Sequence, residues 1–287
     1  MMKIRRFLKN AISVATNPKQ LAAYWRWTVG SILVEPTLYV GGKPLRGFKK
    51  FSEYWNIAAT TASPDEEAFI RRIGSASPFP SVDVGSNIGQ MALLLSAVTR
   101  QPVHCFEPHP STFRALMKNC TGSEFFLNQM ALSDKEGTAQ FTNDRSSALN
   151  RMLGTEPQMQ DSFEVRTDTL SNYLLLGGIS DVSIVKIDVE GAEPLVLTGL
   201  QPHLERGLIG GLLIEVVPEN LANLGFEIED IWRRTTPYGY LPYDVRNLSR
   251  PLSLAELLMV DVPNVAFMRS ENAVHSGVTN AFKIESK

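Results

Sequence analysis

From residue 81 onward the chain alternates short apolar runs with amphipathic stretches. Residues 81–84, 103–106, 125–128, 184–187 and 212–217 are apolar runs of strand length. Between them, residues 89–99 (GQMALLLSAVT) form an almost wholly apolar helix pattern. Residues 111–119 set Phe113, Leu116 and Met117 on one helical face, and residues 192–200 fill the last gap. A helix over 226–234 and strands over 240–243 and 264–268 complete the series. Strands separated by helices of about ten residues indicate βαβ units and a parallel sheet. Residues 133–168 break the rhythm. Two strand-like pieces, 137–142 and 163–166, flank a polar loop, which predicts a hairpin where a crossover helix is expected.

The first 80 residues follow another pattern. Residues 1–34 read as one or two helices carrying Tyr24, Trp25 and Trp27. Val40-Gly41-Gly42-Lys43-Pro44 is a turn between two extended pieces, and Phe48, Phe51, Tyr54 and Trp55 need a surface to bury against. Ser63-Pro64-Asp65-Glu66-Glu67 starts a helix running to about residue 73, with a Ser cap, Pro at the first position and acids in the first turn. The pattern divides the chain into a helical and hairpin cap, residues 1–75, and an α/β domain, residues 76–287.

The chemistry gathers where strands run into helices. VDVGSNIG (residues 82–89) lies at a strand's carboxyl end, where open α/β sheets bind ligands. Gly85 and Gly89 allow close backbone approach, but the spacing is not G-x-G-x-x-G, and Asp83 would repel a pyrophosphate. Glu107 ends the next strand, placed to accept hydrogen bonds from ribose hydroxyls. A nucleoside without phosphates but with positive charge fits this pair, and S-adenosylmethionine has that description. KIDVEGAE (residues 186–193) brings three acids and a lysine to a third strand end.

VDVGSNIG, FEPHP, ALSDKEG, KIDVEGAE and LLIEV together resemble the FkbM family of S-adenosylmethionine-dependent methyltransferases, over roughly residues 82–243. The resemblance implies a Rossmann-like class I methyltransferase fold: a seven-stranded, mostly parallel sheet in the order 3-2-1-4-5-7-6, with helices on both faces. It implies that Asp83, Gly85, Ser86, Asn87 and Gly89 hold the methionine end of the cofactor and that Glu107 and Pro108 hold the ribose. It also implies that Met130, Ala131 and Leu132 line the adenine, and that Ser147, in the loop RSSAL, reaches cofactor or substrate. Asp188 is the first candidate for orienting the acceptor or acting as base, with Glu190 and Lys186 after it. Asp188 is equally suited to the cofactor's ammonium, and Glu190 to capping the next helix or pairing with Lys186. Asp168 reads as a helix cap. His109 lies near the cofactor edge, whereas His104 reads as buried structure. Asp188 and Glu215 could offer oxygens to a hard cation, but no third ligand is evident and no metal is expected.

The implied activity is O-methylation of a hydroxyl on a sugar, glycan, glycolipid or polyketide-like metabolite. N-methylation of a small molecule and non-catalytic cofactor binding are the alternatives. No G-x-S-x-G elbow or H-E-x-x-H occurs, which removes the common hydrolase readings. Charge changes the picture at one end. Residues 1–50 hold ten Lys/Arg and one acid, against 18 bases and 29 acids in the remainder. An acidic α/β domain argues against a nucleic-acid substrate. The basic segment is either a solvated face or a peripheral contact with a membrane or other anionic surface. Cys105 and Cys120 form no disulfide framework, which fits a reducing, cytoplasmic setting.

Overall fold

The computed structural model describes residues 35–48, 54, 63–142, 152 and 162–269. The expected helices of residues 1–34, Phe51, Trp55 and the RSSAL loop with Ser147 lie outside these residues.

A hairpin comes first, β1 (Leu38–Val40) and β2 (Lys43–Leu45), followed by α1 (Pro64–Gly74). Then β3 (Ser81–Val84), α2 (Gln90–Thr99), β4 (Val103–Phe106), α3 (Pro110–Asn119) and β5 (Phe125–Asn128) alternate. β6 (Ala131–Leu132), β7 (Gly137–Thr142) and β8 (Ser162–Asp168) follow, and then α4 (Leu170–Leu176). The alternation resumes with β9 (Val182–Ile187), α5 (Glu193–Arg206) and β10 (Ile209–Glu215). The short helix α6 (Pro218–Ala222), α7 (Ile228–Thr235), β11 (Tyr240–Asp244), α8 (Leu254–Leu257) and β12 (Asn264–Arg269) close the described chain.

Seven strands form one sheet in the order β5-β4-β3-β9-β10-β12-β11. Numbered along the chain within this sheet, that is 3-2-1-4-5-7-6, the order the resemblance implies. β12 runs antiparallel to both its neighbours, and β3, β4, β5, β9 and β10 are parallel. The predicted insertion is a second sheet, β6-β8-β7, with β7 and β8 antiparallel.

Because strand side chains alternate, each central strand serves two cores. Val82, Val84, Val185, Ile187, Leu212 and Ile214 face α4, α5 and α7. Ile184, Leu213 and Ala266 face the other way and pack with Phe69 and Ile70 of α1 and Leu93 of α2. All of these are buried, and each large apolar side chain so buried contributes about 1.5–3 kcal/mol. The hairpin packs on this second face through Val40 and Leu45, with Phe48 against the same core and edge-on to Tyr54.

The alternation also fixes polar positions. Asp83, Lys186, Glu215 and Asn264 share the face of Ile184, Leu213 and Ala266, at the carboxyl end of the parallel strands. Among the described residues no helix is long and apolar enough to cross a membrane.

Candidate active site

The cleft opens at this sheet edge, with a volume of about 610 Å³. Its floor is the turn after β3. Gly85 has φ +83°, and a Cβ there would lie 1.8 Å from the Asp188 carbonyl oxygen. Only glycine lets the turn close against the β9 end. Ser86 locks the turn: its Oγ donates to the Asp83 carbonyl (2.8 Å) and accepts from the Phe106 N–H (3.1 Å). The Ser86 side chain is thus used by the protein's own backbone. Gly89 begins α2 and packs toward Cys120 and Leu116, outside the cleft lining.

Glu107 lines the cleft at the end of β4. One carboxylate oxygen accepts from the Asn87 N–H (3.0 Å) and the other from the His109 N–H (2.8 Å). The two strand ends are therefore joined through the acid expected to hold the ribose. Pro108, Met130, Ala131 and Leu132 line the same end. Phe141 on β7 and Met152 join them, both missed at sequence level because they arrive with the inserted sheet. The histidines do other work. His109 caps α3, accepting from the Ser111 N–H (3.2 Å). His104 is buried beside the Tyr173 hydroxyl (2.8 Å). Asp168 Oδ1 accepts from the Thr169 N–H and the Asn172 amide, but Thr169 itself is the N-cap of α4.

The KIDVEGAE segment forms the opposite wall. Lys186 is buried, and its Nζ donates to Asp188 Oδ2 (3.2 Å), Asn264 Oδ1 (2.8 Å) and the Ile187 carbonyl (3.4 Å). Burial opposes its charge, but Asp188, Glu215 and Glu66 together hold its pKa above the ordinary lysine value. It is a buried counter-ion to these acids, and it lines the cleft. Asp188 keeps a partly exposed side chain at the cleft. Glu190 stands on a left-handed backbone, φ +56°. It neither caps α5 nor pairs with Lys186. The Asn220 amide donates to it (2.7 Å), and Glu193 Oε1 instead accepts from the Val189 and Gly191 N–H groups. Burial and the Asp188 and Glu193 charges push Glu190 up to about 7. Burial, then Asp188 and Glu190, raise Glu215 well above the usual carboxylate range.

The remaining wall comes from outside the recognised motifs. Ser63, Asp65 and Glu66 at the start of α1, and Val245, Arg246 and Asn264, line the cleft. The Asn264 amide donates to Glu66 (2.7 Å) across 198 residues of sequence. No periodicity signals such a contact.

A model of the Methyltransferase FkbM domain matches residues 83–241, from β3 to β11. The chain belongs to the FkbM methyltransferase family. Similar proteins include Methyltransferase 1 of Beauveria bassiana (strain ARSEF 2860), 29% identical over 195 residues, 58% of this chain and 78% of that protein. Hexuronic acid methyltransferase AglP of Haloferax volcanii is 33% identical over 127 residues, 43% of this chain and 50% of its own. The 31-O-demethyl-FK506 methyltransferase FkbM of Streptomyces tacrolimicus is 28% identical over 153 residues, 42% of this chain and 58% of its own. Among solved structures, Aeropyrum pernix fibrillarin with natively bound S-adenosyl-L-methionine overlays on 82% of each chain, at 12% identity and TM-score 0.40.

The cofactor of this FkbM methyltransferase is S-adenosylmethionine. The cleft fits it on its own chemistry. Of the buried side-chain polar atoms without a hydrogen-bond partner among the described residues, two, Asp83 Oδ2 and Asn87 Oδ1, belong to residues that line the cleft. Burial lifts Asp83 to about 7, so a cation beside it is favoured. An ammonium or sulfonium supplies that charge, and a phosphate does not.

Proposed function

We propose that the protein methylates a hydroxyl group on a sugar, a glycan or a sugar-bearing metabolite. The observation that carries the reading is Asp188, a carboxylate at the cleft whose Oδ2 is held by a buried lysine. S-adenosylmethionine, when bound, supplies an already activated methyl group on a sulfonium centre. The protein's part is therefore alignment and management of one proton. Glu107 holds the ribose, Asp83 and Asn87 receive the methionine end, and Ala131, Leu132 and Phe141 exclude water around the adenine. Asp188 orients the acceptor hydroxyl and takes its proton as the new oxygen–carbon bond forms. Lys186 and Asn264 keep Asp188 in one orientation. The names of two relatives, a hexuronic acid methyltransferase and a 31-O-demethyl-FK506 methyltransferase, support an oxygen acceptor.

The test is a panel of aryl glycosides (neutral, amino and uronate) incubated with the protein and labelled cofactor, with each product located by mass and NMR. Methyl ethers are expected. Asp188→Asn is expected to lower turnover by at least about a hundredfold, the range of a lost general base, with cofactor affinity retained. Methylation confined to amino groups would overturn the oxygen reading.

A further inference from the structure

Glu66 stands on α1, outside the matched residues 83–241, yet it lines the cleft. Phe69 and Ile70, one turn later on the same helical face, pack into the core on this side of the sheet. Burying them carries Glu66 inward, to 8% exposure. An acid therefore sits where the period of the helix calls for an apolar side chain. Burial raises its pKa, against the opposing pull of Lys186 and the Asn264 amide. A buried acid is a poor means of holding a helix on a core. What the position gains is a bond to Asn264.

Asn264 Nδ2 donates to Glu66 Oε1 (2.7 Å), and Asn264 Oδ1 accepts from Lys186 Nζ (2.8 Å). Lys186 Nζ in turn donates to Asp188 Oδ2 (3.2 Å). We propose that Glu66 is a positioning residue for methyl transfer, acting on Asp188 through Asn264 and Lys186. This role rests on the reading of Asp188 as the group that orients the acceptor hydroxyl.

Each link has one direction. An ammonium only donates, so the Asn264 atom that faces Lys186 is its oxygen, and the NH2 group faces Glu66. The Glu66 oxygen holds the amide in this sense. Without it the amide is free to turn, and a turned amide sets its own N–H groups against the ammonium. Lys186 would then keep only Asp188 and the Ile187 carbonyl (3.4 Å) as acceptors, and lose the bond that fixes where it stands. The same chain ties elements that are apart in the sheet. Lys186 is on β9, Asn264 begins β12, and β10 lies between them. A displacement of about 1 Å at the reacting groups can slow a transfer by about a hundredfold.

The test uses the full chain, S-adenosylmethionine and the aryl glycoside that wild type methylates fastest. Glu66→Leu and Asn264→Leu are each expected to lower kcat by at least about tenfold, with the cofactor Kd unchanged. Cofactor stoichiometry counts the folded sites, so lost folding is not read as slow turnover. Glu66→Met, of nearly the same length, serves the same purpose should Glu66→Leu not fold. The double variant should be no slower than the slower single, because residues acting through one chain do not add. Glu66→Gln keeps an oxygen for the Asn264 amide and should recover most of the lost rate. Glu67→Leu, on α1 outside the cleft lining, should leave the rate alone. A second readout needs no acceptor. In protein labelled with nitrogen-15 lysine, the Nζ–H signal that Lys186→Met removes reports the tie directly. It is expected in wild type and Glu66→Gln, and expected to broaden away in Glu66→Leu. Wild-type turnover in Glu66→Leu, losses that multiply in the double variant, or a Glu66→Gln as slow as Glu66→Leu overturns the proposal. Should wild type methylate no glycoside, the acceptor reading of Asp188 fails by itself, and the Lys186 signal still decides the tie. A signal that is absent from wild type, or that persists in Glu66→Leu, overturns it.

Discussion

The glycine at position 85 is legible in sequence as a place of close approach, but its nearest neighbour is protein. The backbone of Asp188 lies where a side chain would be, so the two halves of the cleft meet without a gap. Ser86 is similar: its position in the motif suggests a ligand contact, whereas its hydroxyl secures the turn. Single residues reveal which backbone is special more readily than which group it serves. His104 gives a prediction at this scale. Burial lowers its pKa from 6.5 to about 4, so the folded protein keeps it neutral. Above pH 6.5 it is neutral in both states and contributes nothing to the pH dependence. As pH falls from 6.5 toward 4 the unfolded chain takes up a proton that the folded chain refuses, and stability drops by up to about 3 kcal/mol. Urea unfolding of wild type and His104→Phe at pH 7 and pH 4.5 should show the stability gap between them shift by at least about 1 kcal/mol in the variant's favour at low pH. An unchanged gap would contradict a neutral buried imidazole.

At the scale of elements, short strands bounded by turns were the easiest to read. β3, β4, β5 and β7 have the predicted bounds, because four to six apolar or β-prone residues between Gly, Pro and polar clusters have few other uses. The helix expected over 192–200 continues to Arg206 and ends where Gly207 turns left-handed. Its last turns carry Gln201, Pro202, Glu205 and Arg206, and these mask the apolar spacing that Leu204 maintains. Glu190 reads in sequence as a catalytic candidate or else as a cap or ion-pair partner, because its left-handed backbone is invisible there. That single angle brings its carboxylate beside those of Asp188 and Glu215. Asn264 joins three elements: it accepts from Lys186 on β9 and donates to Glu66 on α1. Asn264→Leu leaves a buried ammonium and a buried carboxyl short of partners, and should cost about 1–3 kcal/mol in urea unfolding. A loss under about 0.5 kcal/mol, the level of a neutral surface change, would mean that the tie carries no stability.

At the scale of the molecule, strand and helix alternation establishes α/β architecture but not strand order, which came from the resemblance and agrees with the sheet. The cleft was half legible. One wall lies in contiguous motifs, whereas the wall formed by Glu66 and Asn264 lies outside the matched residues 83–241. Distance in sequence conceals such a wall from any local reading. The account as a whole stands on the cofactor. Calorimetric titration of the full chain with S-adenosylmethionine, with NAD as the counter-probe, tests it most directly. One cofactor per chain and no heat from NAD are expected. Glu107→Ala should bind at least about tenfold more weakly, the loss of hydrogen bonds to a charged acceptor worth about 1.5–3 kcal/mol. No saturable heat from S-adenosylmethionine, or equal affinity in wild type and Glu107→Ala, would contradict the account.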